Sequence, residues 1–153
     1  MPSSTVTLEN TRTEVSVQHY ADSTLVIVTQ VGKVGNLVWL IDKSAGAVTP
    51  AVPDPSEPNV QSLPPPPIAV QLVPLLGAAP SDHIQTLHNL YASQIATLVW
   101  LANSESPLQV ARKKVVVGIA LRRSGKSDSD LSDTERTTFH GVMAALQELL
   151  RHA

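Results

Sequence analysis

The chain contains no cysteine. That excludes disulfides, thiolate metal sites and a cysteine nucleophile, and it fits a reducing compartment. Aromatic residues are scarce, at 3%, so the core has to be built from Val, Leu, Ile and Ala. A basic excess is also missing: 11 Lys and Arg stand against 13 Asp and Glu, for a net charge of −2. A nucleic-acid binder would need a clear positive surplus, so no nucleic-acid partner is expected. No apolar run approaches the ~18 residues of a membrane span. The opening "MPSSTVTLENTRTE" is polar and lacks the apolar stretch of a signal peptide. The expected location is the cytoplasm, with the nucleus as the alternative, and no membrane partner is expected.

What is present is a run of short apolar segments. A length of 153 residues with 42% hydrophobic residues suits one domain with a real core. Residues 13–20, "TEVSVQHY", alternate, with Val15, Val17 and His19 on one face; this is the pattern of a half-buried strand. "TLVIVTQV" (24–31) is β-branched and apolar on both faces, as a central strand is. "NLVWLI" (36–41) follows a short Gly-flanked loop, so the two segments read as a hairpin and the three as a meander. Tyr20 and Trp39 read as strand residues, with packing as their main role.

Composition then shifts. Eight of the 12 prolines fall between Pro50 and Pro67. Proline removes the backbone donor and blocks helix and central strand alike, so 42–67 is expected to be a disordered or polyproline insertion. "IAVQLVP" (68–74) is a fourth strand, and Pro74 marks it as an edge. Residues 83–102 carry a helical stripe of Ile84, Leu87, Tyr91, Ile95, Leu98, Val99 and Ala102, widened by Leu90, Trp100 and Leu101. "KKVVVGIAL" (113–121) is a fifth strand, buried on both faces. Ser132 and Glu135 have capping-box spacing ahead of an amphipathic helix over 134–151. The predicted fold is α+β: an antiparallel sheet or sandwich of about five to six strands with two helices packed against it. Residues 1–12 are expected to be a flexible terminus, and 13–153 a single domain carrying the insertion.

Candidate chemistry is thin. "ALRRSGKS" (120–127) has the loose form of a phosphate-binding loop. Such a loop works by running straight into a helix N-terminus. Here "DSDLSD" intervenes, and Asp128, Asp130 and Asp133 would repel a phosphate. A small nucleotide-binding protein using Ala120–Ser127 is therefore an alternative reading, as is an adaptor docking through its "PPPP" segment. His19, His83, His88, His140 and His152 lack metal-ligand spacing and are expected to scatter over the surface. Neither a catalytic set, a metal site nor a cofactor site is predicted. Arg112, Lys113 and Lys114 form a basic cluster at a strand start.

One stretch is more specific. In "TLVIVTQVGKVGNLVWL" (24–40), Thr29, Gln30, Gly32, Lys33 and Gly35 fall on the motif positions of a known family. The chain resembles the third proteasome assembly chaperone family, residue by residue over 25–40 and in outline over 13–151. It departs in the longer, proline-rich 42–67 segment and in an extended 103–113 loop. The resemblance implies a chaperone without enzymatic activity. It implies a heterodimer with a related small chaperone of the fourth type, formed by joining sheets, and a homodimer when the chain is alone. It implies that the pair binds an α-type subunit, promotes assembly of the 20S proteasome α-ring, and leaves before the β-ring is complete. On that resemblance the partner-binding residues are Gln30 and Lys33 from the motif, and Pro53, Asp54 and Glu57 from the loop after the third strand.

Overall fold

Strand β2 (Thr11–His19) begins with the alternation seen in the sequence, and the computed structural model shows what that alternation does. The structure describes residues 3–8, 11–30, 36–42, 70–77, 82–104, 114–121 and 133–152. Val15 and Val17 are fully buried under the helices. β2 turns at residues 20–22 into β3 (Ser23–Thr29), and the Tyr20 N–H donates to the Ser23 carbonyl at 2.8 Å across that turn. Tyr20 itself lies just past the strand and is exposed. β4 (Asn36–Asp42) and β5 (Val70–Leu76) pair antiparallel. β6 (Lys114–Ala120) carries the "VVVGI" run. Two helices, α1 (Asp82–Ser104) and α2 (Asp133–His152), complete the fold.

An additional strand precedes β2. Ser3–Leu8 forms β1 and pairs antiparallel along its whole length with β2. Within the stretch 1–12, expected to be a flexible terminus, Ser3–Leu8 thus supplies an edge strand. Among the described side chains of "SSTVTL", Val6 packs against the core, and the serines and threonines give the segment little pattern of its own.

The six strands of the described residues form one sheet of order β1-β2-β3-β6-β4-β5. The class is α+β as expected, with a single mixed sheet rather than a sandwich. The expected hairpin between 24–31 and 36–41 is not formed. β6 lies between them, parallel to β3 and antiparallel to β4. A β-branched strand buried on both sides belongs in the middle of a sheet, and "KVVVGIA" takes that place. β5 is an edge, as Pro74 predicts. It carries one extra residue, Leu75, where the register shifts opposite Leu37 and Val38.

Direct partners across the sheet share a face. Val15 and Val28, Val17 and Val26, Val26 and Val117, Val117 and Val38, and Val115 and Leu40 are such partners. All of them join Leu87, Tyr91, Ile95, Val99, Trp100, Val142, Met143 and Leu146 of the helices in one core. The helices also meet each other: Tyr91 and Phe139 pack edge to face at 5.1 Å between ring centroids. Leu90, expected on the helical stripe, is 45% exposed. It sits a quarter turn off the line that joins Leu87, Tyr91 and Ile95, so the buried stripe is narrower there than the sequence implied.

Candidate interaction face and a buried histidine

Among the described residues, the same register that buries one face of the sheet leaves the other without a helix. Leu25 and Ile27 of β3, Val116 of β6, Trp39 and Ile41 of β4, and Val73 of β5 alternate with the core residues and point the opposite way. Each is half-buried. Val116 pairs directly with both Leu25 and Trp39, and Trp39 with Val73. They form a band of aliphatic side chains around one indole. Glu14 and Gln18 border it on β2, Gln71 on β5 and Lys114 on β6. An apolar centre with a polar rim is the composition of a protein-binding surface.

Trp39 is the most distinctive part of the band. Lys114 Nζ lies 4.4 Å from the centre of its ring, a cation–π contact. Its indole N–H is buried with no hydrogen-bond partner among the described residues, and an unmet buried donor is costly. Of the basic cluster, only Lys114 lies among the described residues.

On the helix side, three elements meet around His88. The ring is only 7% exposed, which corrects the expectation of a surface histidine. Asn36 Nδ2, at the start of β4, donates to His88 Nδ1 at 3.0 Å. Gly77, just past β5, has a φ of +80°, and a Cβ there would sit 2.5 Å from Asn36 Oδ1. Only glycine both adopts that backbone and leaves the asparagine room. Burial disfavours the charged imidazolium, so the His88 pKa lies below its ordinary 6.5. The neutral ring is favoured in the fold, so its stabilising effect is complete above pH 6.5. It is lost as pH falls from 6.5 through the lower folded value. The thermal midpoint is therefore expected to be lower at pH 5.5 than at pH 7.5, with a smaller difference in His88→Gln. An equal difference in both proteins would remove His88 from this role.

Of the residues expected to contact partners, Gln30 follows β3. Its backbone N–H donates to the Ala120 carbonyl and its side-chain Nε2 to Thr13 Oγ1, at 2.8 and 3.1 Å. It ties the ends of β2, β3 and β6 together. Lys33, Pro53, Asp54 and Glu57 lie outside the described residues, as do the proline-rich segment, the 122–127 part of the "ALRRSGKS" loop and the Ser132 cap. Among the described residues no group of three or more His, Asp or Glu could hold a metal ion, and no helix is long and apolar enough to cross a membrane.

With this geometry, comparison with solved structures is informative. The fold matches that of a chain in a chaperone complex for yeast 20S proteasome assembly. The match covers 98% of this chain and 99% of that one, with a TM-score of 0.51 and 16% sequence identity. No protein-family model matches the sequence, and no curated protein sequence does. The open sheet face had a sequence signal: Leu25, Ile27, Trp39 and Ile41 are apolar on the side of their strands opposite the core. His88 had one too, because it falls four residues after Ile84 and seven before Ile95, on the buried side of α1.

Proposed function

We propose that this chain is a non-enzymatic chaperone for assembly of the 20S proteasome. In this reading it pairs through its open sheet face with a related small chaperone. The pair then binds an α-type subunit and promotes formation of the α-ring in the cytoplasm. The observation that carries the reading is the likeness in fold, along the full length of both chains, to a member of a proteasome-assembly chaperone complex. The "VTQVGKVG" motif agrees with it. The uncovered apolar band fits it physically, since two sheets stack face to face about 10 Å apart with their side chains interleaved. Without its partner, two copies of the chain would pair through the same band.

A tagged full-length chain, purified from its own cells, tests this. Mass spectrometry should recover a second small protein of similar size together with α-type proteasome subunits. A folded monomer that brings down neither would overturn the reading.

A further inference from the structure

The open band has a direction. Leu25, Val116, Trp39 and Val73 are direct partners in turn, so they form one apolar row across β3, β6, β4 and β5. On either side of that row stands a lone charge. Glu14 is level with Thr29 at one end of the strands, and Lys114 is level with Ser23 at the other. Among the described residues neither side chain makes an ion pair or a hydrogen bond; the Lys114 ammonium rests on the Trp39 ring alone. The other described charges near this face lie farther out. Arg12 is at the exposed start of β2, and Asp22, in the turn before β3, accepts from Ser23 Oγ at 3.3 Å.

Ser23 and Thr29 begin and end β3, which puts the two charges about 20 Å apart along the strands at ~3.3 Å per residue. β2 and β6 flank β3, so the charges are also about 10 Å apart across the strands. The point midway between them falls on β3 at Val26, between Leu25 and Ile27 and beside the apolar row. Covering this face takes both charges out of water. A buried charge without a counter-charge is costly, so the cover has to bring a cation to Glu14 and a carboxylate to Lys114. A second copy of this chain brings both. A two-fold axis that lies in the interface, passes through the midpoint and runs perpendicular to the line between the charges places each Glu14 opposite Lys114 of the other copy. Because that line runs mainly along the strands, the axis runs mainly across them, and the apolar row meets its own counterpart. A two-fold interface is self-complementary in this sense.

We propose that the open face takes a second copy of this chain in one orientation, with the strands of the two sheets running in roughly opposite directions. Two reciprocal Glu14–Lys114 ion pairs set that orientation around the Leu25–Val116–Trp39–Val73 row. The proposal rests on the reading of the open band as a pairing face, but not on a role in proteasome assembly.

The test is sedimentation equilibrium of the full-length 16.3 kDa chain, with circular dichroism to establish that each variant is folded. The wild-type chain should form a dimer. Glu14→Lys puts two cations at each contact and Lys114→Glu puts two carboxylates there, so either variant alone should dimerise about tenfold or more weakly. An equimolar mixture of the two should associate close to the wild-type affinity, because each contact again holds one charge of each sign. The double variant Glu14→Lys/Lys114→Glu should do the same on its own. A wild-type chain that stays monomeric would overturn the second copy as occupant and leave pairing with a related chaperone to its own co-purification test. Single variants that dimerise like wild type, or a mixture as weak as either variant alone, would overturn the orientation. Ile27→Asp separates that failure from failure of the pairing face: it dissociates the dimer if the face is in use and leaves it intact if the face is not.

Discussion

Replacing Ile27 with aspartate should leave the chain folded and abolish the pairing with a related small chaperone proposed above. Ile27 lies on β3, opposite Ser16 of β2 and Gly118 of β6, so small neighbours leave its side chain free to project from the open face. It takes no part in the core formed with the helices. A carboxylate at that point would be removed from water by a covering sheet without a counter-charge. Loss of a central interface residue costs at least about 2 kcal/mol, or about thirtyfold in affinity. The check is co-purification of the small partner with wild-type and Ile27→Asp chains, with circular dichroism to establish that both are folded. Leu90→Asp serves as the control, because Leu90 lies on the helix side and is already exposed; it should co-purify the partner normally. A folded Ile27→Asp chain that retains its partner at the wild-type level would move the interface elsewhere.

Trp100→Ala should have the largest effect on stability of any single truncation. Trp100 heads the fully buried side chains of the core, with 1% exposure in α1. In a chain with 3% aromatic residues it is a main filler between helix and sheet. Truncating a buried tryptophan costs about 3–5 kcal/mol, a large share of the ~5–15 kcal/mol that holds a domain together. The thermal midpoint should fall by roughly 10–15 °C. Leu90→Ala, four-tenths exposed or more, should change stability by no more than ~0.5 kcal/mol. Thermal unfolding of the two variants beside the parent decides it. A Trp100→Ala midpoint within a few degrees of the parent would mean the core repacks around the gap.

The periodic elements were legible in the sequence because periodicity is local. β2, β3, β6 and the two helices fall within about two residues of where alternation, β-branching and the helical stripe placed them. The sheet order was not legible. A Gly-flanked loop between two apolar runs is as compatible with a missing central strand as with a hairpin, and the strand that separates them comes more than 70 residues later. β1 escaped notice because serine and threonine dominate it. His88 was misplaced for a related reason: the partner that fixes its ring, Asn36, is 52 residues away. The open face was half visible. Its apolar residues could be read from strand alternation, but which side the helices would cover could not.

The position of β6 also sets an order in time. β1, β2 and β3 form one group and β4 with β5 another, and only β6 joins the two. On the ribosome, the roughly 70 residues between Asp42 and Lys114 take about 4–14 s to emerge at ~5–20 residues per second. Throughout that interval the β-branched "TLVIVT" strand has an unpaired edge, the situation in which nascent chains stick to one another. A protein read here as a helper in the assembly of others thus passes through a stage of synthesis in which its own sheet waits, open, for its keystone strand.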